Sequence, residues 1–321
     1  MTVLRSAALS RIVFVMGLQA LAAGMPADLQ AREVHDVYID GDKVCTRCHD
    51  ENEFKPLLSI AQTRHGTAAD GRAPNCVSCH GSSESHINKP KGAGRRPEPT
   101  INFGRRSGTP VVERNRVCIA CHQGGKFIHW QGSQHSAADV ECGGCHTMHS
   151  AHDKVRDAAT QPEVCIDCHK EKRSEINRPN HHPLREGKMA CSNCHASHGS
   201  AGDKLMLRDT VNDTCYTCHM EKRGPTVRTH QPVAENCAIC HNPHGSVNDN
   251  LLRQRPPLLC QQCHEPTGHR GGIPGFGDSR GSFNSTSGMG ATQGRACLNC
   301  HTNIHGTNNP VDISNERTFR R

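Results

Sequence analysis

The sequence predicts an elongated chain, mostly coil with short helices and essentially no sheet, organised around covalently held groups and not around an apolar core. Three observations predict it. Ten pentapeptides of the form C-x-x-C-H are spread along 321 residues. Apolar residues make up 34% and aromatic residues 3%, with one tryptophan, which is too little to build a core for a chain of this length. No run of alternating β-branched residues is long enough to seed a sheet.

C-x-x-C-H is the attachment site of a c-type haem. The two thiols add across the porphyrin vinyl groups, and the next residue, histidine, is placed to ligate the iron. The cysteine pairs and their histidines are Cys45, Cys48, His49; Cys76, Cys79, His80; Cys118, Cys121, His122; Cys142, Cys145, His146; and Cys165, Cys168, His169. They continue as Cys191, Cys194, His195; Cys215, Cys218, His219; Cys237, Cys240, His241; Cys260, Cys263, His264; and Cys297, Cys300, His301. All 20 cysteines are used, so none is left for a disulfide, a catalytic thiol or a separate zinc site. Zinc ligation does not require a histidine after every second cysteine, and thioredoxin-like motifs occur once or twice beside a strand and a helix. The expected cofactor is therefore haem c (heme c), ten covalently attached. The fold class is a multihaem cytochrome c with the haems as its core, largely unfolded without them.

The other histidines reveal a repeat. Each unit reads as an odd-numbered motif, a spaced histidine, an even-numbered motif and a trailing histidine. The five expected two-haem repeats are 45–86, 118–149, 165–198, 215–244 and 260–305, on the scale of stacked repeats. Their spaced histidines are His65, His135, His182, His230 and His269, and their trailing histidines are His86, His149, His198, His244 and His305. These ten match the ten second ligands that ten irons need. An iron with two strong ligands passes electrons, whereas one with an open position can do chemistry, so the count predicts bis-histidine ligation throughout. His35, His129, His152 and His181 fall outside the pattern, and Met148 and Met220 are not needed as ligands. In the segment CSNCHASH, His195 and His198 are three apart, which places their Cβ atoms about 5–6 Å apart on a helix. That is too close to grip opposite faces of one porphyrin, so His198 is expected to reach a different haem from His195, as for His146/His149 and His241/His244.

Arg5, Arg11 and the apolar run Ile12 to Ala23 predict a secretory signal peptide over 1–31, with cleavage near Gly24 or Ala31. The run is short for a span of about 20 residues, and no other stretch reads as a membrane-crossing helix. Residues 32–321 then form the decahaem cytochrome. The connector 87–110 carries Lys89, Lys91, Arg95, Arg96, Arg105 and Arg106 and reads as solvated chain, or as a basic patch facing propionates or an acidic partner. Residues 265–296 read as a Gly/Ser-rich surface loop, and Asn315 to Arg321 as a polar tail. Two propionates per haem offset the formal charge of +7, so the basic balance does not argue for nucleic acid, and no nucleic-acid motif is present.

The stretches VNDTCYTCHMEKRGP, ENCAICHNPHGSVND, LCQQCH, EPTINFG and ACLNCHTNIHG carry a closer resemblance. From about Cys45 to His305 the chain resembles the periplasmic decahaem cytochromes of porin–cytochrome conduits, the MtrA/MtoA family, which includes the DmsE type. The resemblance implies a haem wire in the periplasm, inserted in an outer-membrane β-barrel porin. Its partners would be periplasmic or inner-membrane c-type cytochromes on one side. On the other side it would meet an outer-surface multihaem cytochrome, or the extracellular donor or acceptor directly. Ten carriers in series suit a membrane about 40–45 Å thick with its headgroups.

Three functions compete at this point. The first is electron transfer across the outer membrane, serving Fe(II) oxidation inward or metal and mineral reduction outward. The second is a soluble periplasmic shuttle. The third is a multihaem nitrite- or hydroxylamine-type reductase, which a haem that breaks the ligation pattern would signal. No C-x-x-C-K is present, and the tyrosines are only Tyr38 and Tyr216. No catalytic residue is expected.

Overall fold

The computed structural model describes residues 42–50, 56–67, 71–90, 92–264, 297–299 and 301–308. The expected signal peptide, the loop 265–296 with His269, Cys300 and the polar tail lie outside the described residues. Within them the chain is mostly coil and turn, with short helices and no sheet. The longest described helix, Val111–Ile119, has nine residues.

Each haem motif occupies one helical turn. In nine motifs the histidine N–H donates to the carbonyl of the first cysteine at 2.9–3.1 Å, and Cys76–His80 is itself a helix. Odd-numbered motifs begin at or near the C-terminus of an α-helix, as in Gln161–Ile166 with Pro162 in its first turn and Val211–Tyr216 capped by Thr210. Most described even-numbered motifs open on an isolated turn, such as the 3-10 turns Cys191–Asn193 and Cys237–Ile239. With so few residues in each helix, intrahelical bonding alone does not stabilise them.

Side-chain packing does not supply the missing stability. Among the described residues the buried apolar side chains are Trp130, Ile176, Leu184 and Ala190, while the buried polar set includes Asp42, Arg114, Asn115, Gln161 and Asn212. That is far too little apolar burial to offset the entropy of ordering the chain. No helix among the described residues is long and apolar enough to cross a membrane.

Distant segments meet instead through small antiparallel bridges. Asn180 and Ser246 exchange two backbone hydrogen bonds of 3.1 and 2.8 Å, and Arg228 and Thr307 exchange two of 3.1 and 3.0 Å. Glycine makes such approaches possible. A Cβ on Gly245 (φ 154) would lie 2.0 Å from the Glu175 carbonyl oxygen, and one on Gly199 (φ 113) would lie 2.2 Å from that of His129. Both glycines directly follow trailing histidines, so they let those histidines lean onto the preceding part of the chain.

A chain produced without haem attachment is expected to lack a cooperative thermal transition by circular dichroism and to be cut rapidly by protease, whereas the haem-loaded protein melts cooperatively. A cooperative melt of the haem-free chain would show that the polypeptide holds itself together.

Candidate haem sites

The thiols link the motifs in chain order. The first cysteines of the two motifs in each repeat share a hydrogen bond: Cys45 with Cys76, Cys118 with Cys142, Cys165 with Cys191, Cys215 with Cys237, and Cys260 with Cys297. Sharing one proton eases the first ionisation of a pair and opposes the second. Cys191 and Cys237 are thus lowered to about 7, and Cys165 and Cys215 are raised. The second cysteines connect one repeat to the next. Burial, then the charge of neighbouring thiols including Cys121, Cys168, Cys218 and Cys263, raises Cys79, Cys145, Cys194 and Cys240 respectively. The attachment points therefore follow one another in space as they do in sequence.

The histidine rings stand in pairs. The centroid separations are 6.0 Å for His49–His86, 6.0 Å for His65–His122, 6.1 Å for His80–His149 and 6.1 Å for His135–His169. They are 6.0 Å for His146–His198, 6.3 Å for His182–His219, 6.1 Å for His195–His244, 5.9 Å for His230–His264 and 6.1 Å for His241–His305. Each pair joins a motif histidine to one of the ten histidines of the repeat pattern. The spacing stays within 5.9–6.3 Å while the interplanar angle runs from 2° to 88°. Direct ring contact would tie distance to angle, because stacked and edge-on rings approach differently. A shared central atom does not. With metal–imidazole bonds of about 2.0–2.1 Å and about 1.1 Å from nitrogen to centroid, two imidazoles on one metal stand a little over 6 Å apart.

The ring nitrogens agree with that spacing. Nδ1 lies 2.9 Å from the Ile101 carbonyl oxygen in His80, 2.7 Å from Pro97 in His86, 2.8 Å from Ser197 in His135 and 2.8 Å from Leu57 in His149. It lies 2.8 Å from Pro243 in His182, 3.1 Å from Lys204 in His195 and 2.8 Å from Asn250 in His241. A carbonyl accepts only, so Nδ1 carries the proton and Nε2 keeps a lone pair for a metal. Burial also lowers the pKa of His65, His80, His198, His230, His244 and His305, which keeps each neutral to lower pH. Thiols to bond the vinyl groups and imidazoles on both sides are the donor set that haem c requires.

His181 is different. Its Nδ1 donates to the Arg178 carbonyl at 2.6 Å and its Nε2 lies 3.2 Å from Glu186 Oε1, so neither nitrogen is left over. His152 lies 3.7 Å from Asp157, and Met220 is exposed. In the connector, Arg96 donates to the His86 and Ile87 carbonyls and Lys89 to that of Arg95. Part of the basic run thus secures the loop around His86.

One recurring feature escaped the sequence reading. A buried polar side chain three or four residues before the odd motif accepts a backbone N–H of the even motif. Asp42 accepts from Cys76 at 3.0 Å, Asn115 from Cys142 at 2.9 Å, Gln161 from Ser192 at 2.8 Å and Asn212 from Cys237 at 2.7 Å. The signal was present in IDGDKVC, RNRVC, TQPEVC and VNDTC, but a single Asp, Asn or Gln before a helix reads as an ordinary cap. In the fifth repeat Pro257 holds this place and offers no side-chain acceptor.

Paired attachment thiols and paired imidazoles define a multihaem c-type cytochrome, an electron-transfer protein with covalently bound haem c. The comparisons narrow the class. The family described as "Doubled CXXCH motif" matches residues 181–224 and 230–269, and "Cytochrome c-type protein NrfB-like" matches 76–161. The chain is 42% identical over 278 residues to multiheme cytochrome MtrA of Shewanella baltica, covering 84% of this chain and 79% of that protein. It is 31% identical over 170 residues to cytochrome c-type protein NrfB of Haemophilus influenzae, covering 45% of this chain and 74% of that one. The chain belongs to the MtrA family of multihaem cytochromes.

Replacing Asn212 by alanine leaves the Cys237 N–H without its acceptor, and also releases the Val233 and Ala234 carbonyls that the Asn212 amide contacts. The expected loss is about 1–3 kcal/mol, measured by urea unfolding of the haem-loaded protein.

Proposed function

We propose that the chain holds ten haems, each between two histidines, and passes electrons through them in series across the outer membrane. Haem c supplies a one-electron carrier at each site. The observation that carries the reading is the set of nine ring pairs at 5.9–6.3 Å. Each of the nine motif histidines from His49 to His264 faces a second imidazole, which leaves no iron there open for substrate and argues against the reductase. The tenth pair would be His301 with His269.

The pairing follows one rule. A spaced histidine serves the odd motif of the next repeat, and a trailing histidine serves the even motif of the repeat before. His182 thus faces His219, and His244 faces His195. Each junction is crossed twice, in opposite directions, so adjacent repeats are stapled into a row. At the ends, His86 has no earlier repeat and faces its own His49, and His269 is left for His301. A row of closed carriers conducts and does not catalyse.

The family and the hydrophilic, core-poor chain support a wire held in the polar interior of an outer-membrane β-barrel. Periplasmic or inner-membrane cytochromes would face it on the inner side. An outer-surface cytochrome, or the extracellular donor or acceptor, would face it on the outer side. Fe(II) oxidation and metal reduction use the same row in opposite directions.

Two experiments test this. His182→Ala should convert one haem to high spin while His181→Ala leaves all low spin, as read by electron paramagnetic resonance of the oxidised protein. The opposite result would move the ligand to His181. In proteoliposomes containing the co-purified barrel, the protein should let an external reductant reduce an enclosed dye. Barrel-dependent transfer is expected, and a protein that stays soluble and never co-purifies with a barrel would support the shuttle.

A further inference from the structure

The Nδ1 hydrogen bonds described above end on backbone carbonyls, whereas that of His146 ends on a half-buried carboxylate. His146 Nδ1 lies 2.7 Å from Asp153 Oδ2. The Asp153 side chain is 14% exposed and that of His146 is 26% exposed. The other carboxylate oxygen, Oδ1, accepts the Thr147 N–H at 3.2 Å, which holds the group in place. No Lys or Arg is ion-paired with Asp153 among the described residues. Two other histidines approach carboxylates less effectively. His244 Nδ1 lies 3.3 Å from Glu175 Oε2, but Lys172 Nζ lies 3.2 Å from the same oxygen and offsets its charge. His219 Nδ1 lies 3.8 Å from Glu221, and both are more than half exposed, where solvent screens the pair.

We propose that Asp153 makes the fourth site, on Cys142, Cys145 and His146, a low-potential step within the row. This rests on the reading that His146 and His198 ligate one iron. A charge-assisted hydrogen bond draws the Nδ1 proton toward the carboxylate and makes the imidazole a stronger donor at Nε2. A stronger donor favours ferric over ferrous iron, so the hydrogen bond lowers the potential of that site relative to those whose histidines donate to a carbonyl. Asp153 acts through His146 and is a positioning residue. The row then has an uneven profile, with an internal step set by one side chain. Sequence position alone hides this, because an aspartate seven residues after a motif histidine reads as an ordinary loop residue.

The test is spectroelectrochemical titration of the haem-loaded protein. Asp153→Asn keeps an acceptor and removes the charge. One of the ten one-electron components should move positive, with about a tenfold change in its oxidised-to-reduced ratio, which is about 59 mV for one electron. The other components stay in place and the haem content is unchanged. Glu175→Gln should shift its component less. Asp153→Glu, which keeps the charge, should restore the wild-type curve. If Asp153→Asn superimposes on wild type with every haem low spin, this inference fails and the two-histidine reading stands. If wild type itself shows high-spin haem, the two-histidine reading fails first. Should Asp153→Asn lose low-spin ligation at one haem, Asp153→Glu decides. A wild-type curve supports the charge, and a positive shift with ligation intact overturns it.

Discussion

A fixed distance between imidazole rings organises this protein. Nine pairs of histidines, far apart in sequence or separated by another motif, converge on centroid separations of 5.9–6.3 Å, whatever the angle between their planes. The buried apolar set is small, so distant segments meet through these rings, the thiols and polar contacts such as that of Asn212 with Cys237. The polypeptide acts as a scaffold whose contacts are routed through paired rings and thiols. The small bridges at Asn180–Ser246 and Arg228–Thr307, and the glycines that follow the trailing histidines, have one common effect. They let backbone come close enough for a ring from one repeat to reach a motif in another.

That constraint links stability to function. In an ordinary globular domain the core and the active site are different places, and a site residue can be changed at modest cost to the fold. Here the proposed ligands are also the long-range contacts. Each junction between repeats carries two ring pairs of opposite direction. Losing one histidine would therefore open an iron and loosen a joint together. The polar side chains Asp42, Asn115, Gln161 and Asn212 do the corresponding work inside a repeat, tying the odd motif to the even one.

Much of this is legible in the sequence because the chemistry is local. A motif of five residues specifies its own turn, and composition excludes a conventional core, so mostly coil with short helices follows directly. The histidine pattern is legible as a period. The partner of each histidine is not, since pairing depends on how one repeat is set against the next. The spacing of His195 and His198 predicts only that they would serve different irons, and the fold is needed to bring His198 to His146 and His244 to His195. That His182, and not His181, faces a motif histidine is equally hidden. It turns on Arg178 and Glu186 occupying both nitrogens of His181. The buried acceptors before the odd motifs, and Asp153 behind His146, were unreadable for the same reason: each is a common residue whose partner lies elsewhere in the fold.

All the described ring pairs except His49–His86 join different repeats, and an iron between the two rings of each pair would make the ligation span the repeats. The most direct measurement is an anomalous-scattering map of the haem-loaded protein at the iron edge. An iron is expected midway between the rings of each of the nine pairs, with His198 on the iron of His146 and His244 on that of His195. An iron held by a single histidine, or a trailing histidine ligating within its own repeat anywhere after the first, would contradict it.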